Sequence, residues 1–275
     1  MRRAPRPGAK AVITGGGGAI AHEVARRLDG LGYRLVLLDI NRAAMEATAA
    51  QLGHPAAVEV VNLATPDGIR EAAELFEGPH ADVDLLVHAA GVVEPGEVID
   101  VDPVEFDRHL NVNLLAPMYL TRAAARQMRT RGRGDIVTIV SMAAIAPLPG
   151  SAAYASSKFG LRGFLISARS ELARHGIRLM GIYPSGVDTP MLQHEALHGG
   201  SALNFLADPL TADQVADGVL SALRTGRLET YLPYHDSLTS RVVLTLPWVA
   251  ERVLPLFTAV GERGRRKYLK ALRQR

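Results

Sequence analysis

Ala11-Val-Ile-Thr-Gly-Gly-Gly-Gly-Ala-Ile-Ala21 passes from a short β-branched run through four glycines into a helical pattern. Glycines at such a turn let the backbone bend sharply and approach a pyrophosphate, while the following helix offers free N–H groups and the positive end of its dipole. The stretch predicts a strand ending at Thr14, a helix over 19–31 and a dinucleotide between them. A glycine-rich turn without a ligand would read the same way taken alone. The next strand-like run, Arg34-Leu-Val-Leu-Leu-Asp39, ends in a carboxylate. A carboxylate there accepts hydrogen bonds from both ribose hydroxyls of an adenosine and repels a 2′-phosphate, so Asp39 points to NAD over NADP. Two other readings stand beside it: Asp39 as a solvated cap for the next helix, and Arg42 as a holder of that phosphate.

The alternation continues downstream. Helical patterns fall near 41–52, 66–77, 103–131 and 152–174, and strand-like runs near 56–62, 83–88, 135–141 and 177–183. Apolar runs of this length, separated by helices, are the pattern of parallel strands covered on both faces. The expected fold is α/β, a doubly wound parallel sheet of the Rossmann type, in a single domain. Residues 190–206 form a mixed, loose segment around Gly199-Gly200. Thr211 reads as the N-cap of a helix to Leu223, and 228–232 as a last strand. Three stretches result: a basic segment 1–9, the Rossmann-type domain 10–235, and an extension 236–275.

Ser141, Tyr154 and Lys158 carry the chemistry. Tyr154 and Lys158 are four apart on a helical pattern and share a face. A cation there stabilises a phenolate whose pKa starts near 10. Ser141 closes the 135–141 strand at the sheet edge where such folds place ligands. Each alone has an ordinary reading: packing residue, solvated charge, strand-end cap. Together, Ser141 with Tyr154-Ala-Ser-Ser-Lys158 resembles the Ser, Tyr-x-x-x-Lys signature of the short-chain dehydrogenases/reductases. Asn113 in Asn111-Val-Asn-Leu-Leu resembles that family's fourth catalytic residue. Thr14-Gly15, Asp39, Asn62-Leu63, His88-Ala-Ala-Gly91 and Pro184-Ser-Gly-Val-Asp-Thr189 fall in the same order, over about two-thirds of the chain.

The resemblance implies that Tyr154 is general acid/base, that Ser141 holds the substrate oxygen, that Lys158 holds the nicotinamide ribose and that Asn113 fixes a relay water. It also implies cofactor contacts at Gly15, Gly17, Gly18, Ile20, Asp39, Asn62, Leu63, Ala89, Gly91, Tyr154, Lys158, Pro184, Val187 and Thr189. The expected activity is hydride transfer between NAD(H) and an apolar secondary alcohol or ketone of medium size. An NADP-dependent carbonyl reductase and a non-catalytic dinucleotide-binding protein are the alternatives. The sequence departs from the family pattern at Ala19 and Ala21, where glycines are usual, at His88 and Ala89, and at Ser185 beside the nicotinamide.

Composition narrows the rest. With no cysteine, disulfides and thiolate chemistry are excluded. His194 and His198 share a helical spacing but bring no third ligand, so no metal is expected. The net charge of +3 is concentrated in residues 241–275, which argues against nucleic acid. The first ten residues lack a signal-peptide core, and no uncharged apolar run approaches the roughly 18 residues that span a bilayer. The expected setting is cytoplasmic and the expected assembly a homodimer or homotetramer. The tail reads as two apolar stretches broken at Pro247 and Pro255, then a basic cluster. It is expected to pack on the substrate mouth or a neighbouring subunit, with an anionic membrane surface as the less favoured reading.

Overall fold

Successive side chains of each strand go to opposite helical layers, which is why the strands read as unbroken apolar runs. In the computed structural model, which describes residues 6–235, 237, 238 and 247–274, strand β1 (Lys10–Thr14) sends Ala11 and Ile13 into one layer and Val12 into the other. Six further strands are β2 (Arg34–Asp39), β3 (Ala57–Val60), β4 (Val83–His88), β5 (Gly134–Ile139), β6 (Ile177–Pro184) and β7 (Glu229–Leu232). They form one parallel sheet in the order β3-β2-β1-β4-β5-β6-β7. The chain is a single α/β domain with a doubly wound sheet. The connections run one way from β1 and the other way from β4. The crevice at the carboxyl ends of these two strands is the switch point where such sheets bind ligands.

One layer holds α1 (Ala19–Gly30), α2 (Arg42–Ala49) and α8 (Ala212–Thr225), through Val24, Leu28, Met45, Val215 and Val219. The other holds α3 (Pro66–Glu74), α5 (Ala116–Thr130) and α6 (Ala152–Ala173), through Ile69, Leu120 and Leu161. Thr211 caps α8 in a reciprocal pair with Gln214. Asn41, not Asp39, caps α2: its side chain accepts from the Ala44 amide at 3.1 Å. That removes the capping reading of Asp39.

Three expectations are corrected. The 103–131 pattern is not one regular helix. It divides into α4 (Pro103–Leu110), a π-helical turn at Asn111–Leu115 and α5. The cause is Pro117, which has no N–H to give the Asn113 carbonyl; the Ala116 amide bonds back to the Asn111 carbonyl instead. Residues 190–206 are ordered as α7 (Pro190–Leu197), capped by Thr189, and a 3-10 turn at Ala202–Phe205. The tail is not interrupted at Pro255, since α9 runs over Pro247–Leu272. Pro247 sits in the first turn, where a missing N–H costs nothing, and the Pro255 ring is exposed. The apolar residues from Val242 to Leu246 lie outside the described residues, as do residues 1–5 of the basic N-terminal segment.

Helix α9 lies against the 190–206 segment. At Gly261 and Gly264 a Cβ would run into the backbone of Ala202 and Phe205, so only glycine permits this approach. Leu192, Ala196 and Phe205 pack with Tyr268 and Leu269, and Tyr268 donates to Asp188 Oδ1. Among the described residues, no helix is long and apolar enough to cross a membrane.

Candidate active site

Thr14 ties the switch point together. Its hydroxyl accepts from the amides of Ala89 and Ala90, at 3.2 and 3.3 Å, joining the ends of β1 and β4. Gly15 turns the chain there with φ +69°, and a Cβ would strike the Ala89–Ala90 backbone, so the position needs glycine. The first turn of α1 has no side-chain cap and no acidic residue, which leaves its amides open to a pyrophosphate. Ala21 is 1% exposed and packs in the core beneath, so its methyl group serves the helix–strand contact. Ala19 is exposed.

A groove of about 500 Å³ runs over this turn. Gly15, Gly17, Gly18, Ile20, Asp39, Asn62, Leu63, Ala89, Gly91 and Thr189 line it together. Asp39 Oδ2 accepts from the Gly17 amide at 3.1 Å and Oδ1 from the Asn41 amide at 3.0 Å, so the carboxylate is fixed at the rim with lone pairs to spare. Arg42 is exposed and stands 3.6 Å from Glu46 in an i,i+4 pair. Arg108, Val112 and Met191 also line the groove and were not legible in the sequence. His88 turns away from it. It is 2% exposed and bonds Thr121 Oγ1 at 3.0 Å, and burial pushes it down to about 3, which keeps it neutral. The departure at His88 is thus a matter of core packing.

The groove opens at Gly91, Thr189 and Met191 into a cavity of about 100 Å³. Ser141, Tyr154, Lys158, Pro184, Ser185 and Val187 line it. Ser141 both caps the 3-10 turn at Met142–Ala144, accepting from the Ala143 amide at 3.0 Å, and hydrogen-bonds the Tyr154 phenol. Capping the turn thus leaves Ser141 in the cavity lining. Asn113 is fully buried. Its Oδ1 accepts from the Val92 amide at 2.9 Å, and its Nδ2 donates to Val92 O and Ser157 Oγ. A Cβ on Gly91 would contact both Asn113 Oδ1 and Lys158 Nζ, which places these groups around one point.

The phenol is not lowered in this arrangement. Burial pushes Tyr154 above its ordinary value, the charge of Glu195 adds to the rise, and the Ser141 hydrogen bond offsets only part. Lys158 Nζ lies 5.5 Å from the centre of the ring. Burial drops Lys158 to about 8, and its protein partner among the described residues is the Ile139 carbonyl at 3.3 Å. A cation 3% exposed with one long hydrogen bond calls for further acceptors. The ribose hydroxyls of a dinucleotide in the adjoining groove would supply them, and the residues present fit that group.

Residues 9–198 match the family described as short chain dehydrogenase. The chain belongs to the short-chain dehydrogenase family. The sex determination protein tasselseed-2 of Zea mays is 35% identical over 191 residues, 67% of this chain and 57% of that protein. Short-chain dehydrogenase reductase 3c of Arabidopsis thaliana is 31% identical over 230 residues, covering 82% of this chain and 87% of its own. A metagenomic short-chain oxidoreductase solved in complex with NADP superposes with a TM-score of 0.70 at 30% identity, covering 83% of this chain and 98% of the other. This short-chain dehydrogenase is accordingly an oxidoreductase that binds a nicotinamide dinucleotide and acts on CH–OH groups.

Sequence reasoning did not single out Glu195 and Asn204, which line the cavity, or His109, which is buried with its ring edge-on to Tyr154, 6.5 Å between centroids. His109 was recoverable in principle, as a histidine one helical turn before Asn113. The rings of His194 and His198 lie tilted together, 4.2 Å between centroids. His194 faces Glu94 at 3.3 Å.

Proposed function

We propose that this enzyme interconverts a secondary alcohol and a ketone with NAD(H), with Tyr154 as the proton-transferring residue. The observation that carries this is the meeting of the Asp39-rimmed groove with the Ser141–Tyr154–Lys158 cavity. A bound nicotinamide would supply or take the hydride. Ser141 holds the substrate oxygen, and the Tyr154 phenol gives it a proton in reduction or takes one in oxidation. Lys158 holds ribose hydroxyls in its protonated form, and that cation beside a forming phenolate lowers the cost of the proton transfer. Asn113, pinned to Val92 by the π-helical turn, keeps the space behind Lys158 in shape for a relay water. Val187, Met191, Leu192, Ile139 and Val140 make the remaining cavity wall largely apolar. Turnover of a panel of secondary alcohols and ketones, followed at the nicotinamide absorbance, tests the reading.

The preference for NAD rests on Asp39 and on Arg42 being engaged with Glu46. Asp39→Ala is expected to raise the NADH Kd by about 10–100-fold, the worth of hydrogen bonds to a charged acceptor, and to narrow the gap to NADPH. Fluorescence titration reads both. Wild-type protein that binds NADPH more tightly than NADH would end the claim, and the NADP-dependent carbonyl reductase would take its place.

A homodimer or homotetramer is supported by apolar side chains left in solvent on α5 and α6, namely Tyr119, Phe159 and Ile166 at 50%, 38% and 43% exposure. Ile166→Glu is expected to lower the mass in solution to that of one chain, 29.5 kDa, by light scattering. An unchanged assembly would move the interface elsewhere. The contacts of α9 with α7 support a tail that serves its own domain over one that lies on a membrane. We place the protein in the cytoplasm.

A further inference from the structure

Glu195 is the acidic residue of the cavity wall. It stands on the last turns of α7, is 6% exposed, and pairs with no cation among the described residues. One oxygen, Oε1, accepts from Asn204 Nδ2 at 3.1 Å and from Ser151 Oγ at 3.5 Å. Among the described residues no group donates to Oε2. The groups that share the space with it are Tyr154 and Lys158 from α6, Ser141 from the end of β5 and Asn204 from the 3-10 turn.

A buried carboxyl without a cation is costly, and the carboxyl end of a helix, with its negative dipole end, makes it costlier. Burial pushes Glu195 up to about 7, so it changes charge near neutrality. Fixing Asn204 does not explain the choice, because a glutamine carbonyl accepts that hydrogen bond without a charge. A shortage of space does not force it either, since Glu195 borders the cavity that holds Tyr154. Tyr154 and Glu195 line the same cavity, and the charge of Glu195 reaches the phenol. A substrate that meets Tyr154 through its reacting oxygen therefore has Glu195 in the same wall to meet a second polar group.

We infer that Glu195 is a specificity-determining residue that accepts a hydrogen bond from a second hydroxyl of the substrate, carried near the carbon oxidised or reduced, so that the substrates are hydroxy ketones and the corresponding diols. This rests on the oxidoreductase reading above and adds one polar anchor to an otherwise apolar wall. Ser141 and Tyr154 take the reacting oxygen, Glu195 takes the second hydroxyl, and the two contacts together fix which face of the carbon meets the nicotinamide.

The test compares kcat/KM for matched pairs, acetoin against butanone and 2-hydroxycyclohexanone against cyclohexanone, in wild type, Glu195→Met and Glu195→Gln. Wild type is expected to favour the hydroxylated member. Glu195→Met is expected to cut that preference by about 10–100-fold, the worth of one hydrogen bond to a charged acceptor, mostly through KM. Glu195→Gln keeps length and one acceptor oxygen and is expected to fall between them. If Glu195→Met does not fold, the glutamine variant carries the test, with an expected drop of at least about threefold. A wild-type enzyme indifferent to the hydroxyl, or variants with the wild-type ratio, overturns the assignment and leaves the oxidoreductase reading standing. Wild-type protein that binds NADH yet turns over no member of either pair, nor any ketone of the wider panel, overturns both.

Discussion

Tyr154→Phe is expected to lower kcat by about 10²–10⁴-fold, the range that general acid–base catalysis supplies, while NADH still binds. Only the phenol oxygen is removed. The ring keeps its packing against Ala143, Leu148 and Ala155 and its edge-on contact with His109, so the fold has no reason to respond. Lys158 keeps its place over the ring, and with it the ribose contact proposed for it, which is why binding and turnover are expected to separate. The electrostatics add a direction. With the phenol above its ordinary value, Tyr154 is protonated at neutral pH, ready to donate to a ketone, whereas oxidation of an alcohol must first produce the phenolate. Raising the pH therefore helps oxidation and does not help reduction until the phenol itself begins to ionise. Stopped-flow or steady-state assays beside a fluorescence titration of NADH read both quantities. A phenylalanine variant that kept more than about a tenth of the activity would show that another group moves the proton.

What could be read in the sequence was whatever depends on neighbours along the chain. The strand-to-glycine-to-helix passage at 11–21, the strand-end Asp39 and the four-residue spacing of Tyr154 and Lys158 are local patterns, and the structure puts each where its pattern says. Thr211 with Gln214 is another, a reciprocal cap set by adjacent residues. What could not be read depends on partners far away in sequence. Pro117 gives no sign that its missing N–H will be met by a wider π-helical turn, because Pro near the start of a helix is ordinary. Glu195 looks like any solvated helix charge until Ser151, 44 residues earlier, and Asn204 are brought against it. His88 looked like a changed cofactor contact, and only the direction of its ring, into α5, shows otherwise. The interruption expected at Pro255 does not occur, because a helix docked through Gly261, Gly264 and Tyr268 tolerates a proline on its exposed side.

Gly264→Val, on that tail, is expected to reduce kcat/KM by about 100-fold, the loss that a misplacement of about 1 Å at a site can bring. A side chain at 264 meets the backbone carbonyl of Phe205, and a backbone carbonyl held in a 3-10 turn cannot swing aside as a flexible side chain would. Helix α9 must lift or Ala202–Phe205 must move. Either way the tilted ring pair of Phe205 and Tyr268, 5.3 Å between centroids, is lost, and with it the bond from Tyr268 to Asp188. Asp188 adjoins Val187 in the cavity wall and Thr189, whose hydroxyl caps α7. The disturbance therefore reaches Met191, Leu192 and Glu195 on α7, the residues that close the cavity over Tyr154. The pyrophosphate end of the groove is built by β1, α1 and Asp39, which α9 does not touch, so the Kd for NADH is expected to change far less than the KM for substrate. Leu256→Ser is the matched control. Leu256 is 67% exposed on the same helix, and surface substitutions of this kind usually fall within about 0.5 kcal/mol. If Gly264→Val kept wild-type kinetics, or if Leu256→Ser lost as much activity, α9 would not be what holds the cavity wall in place.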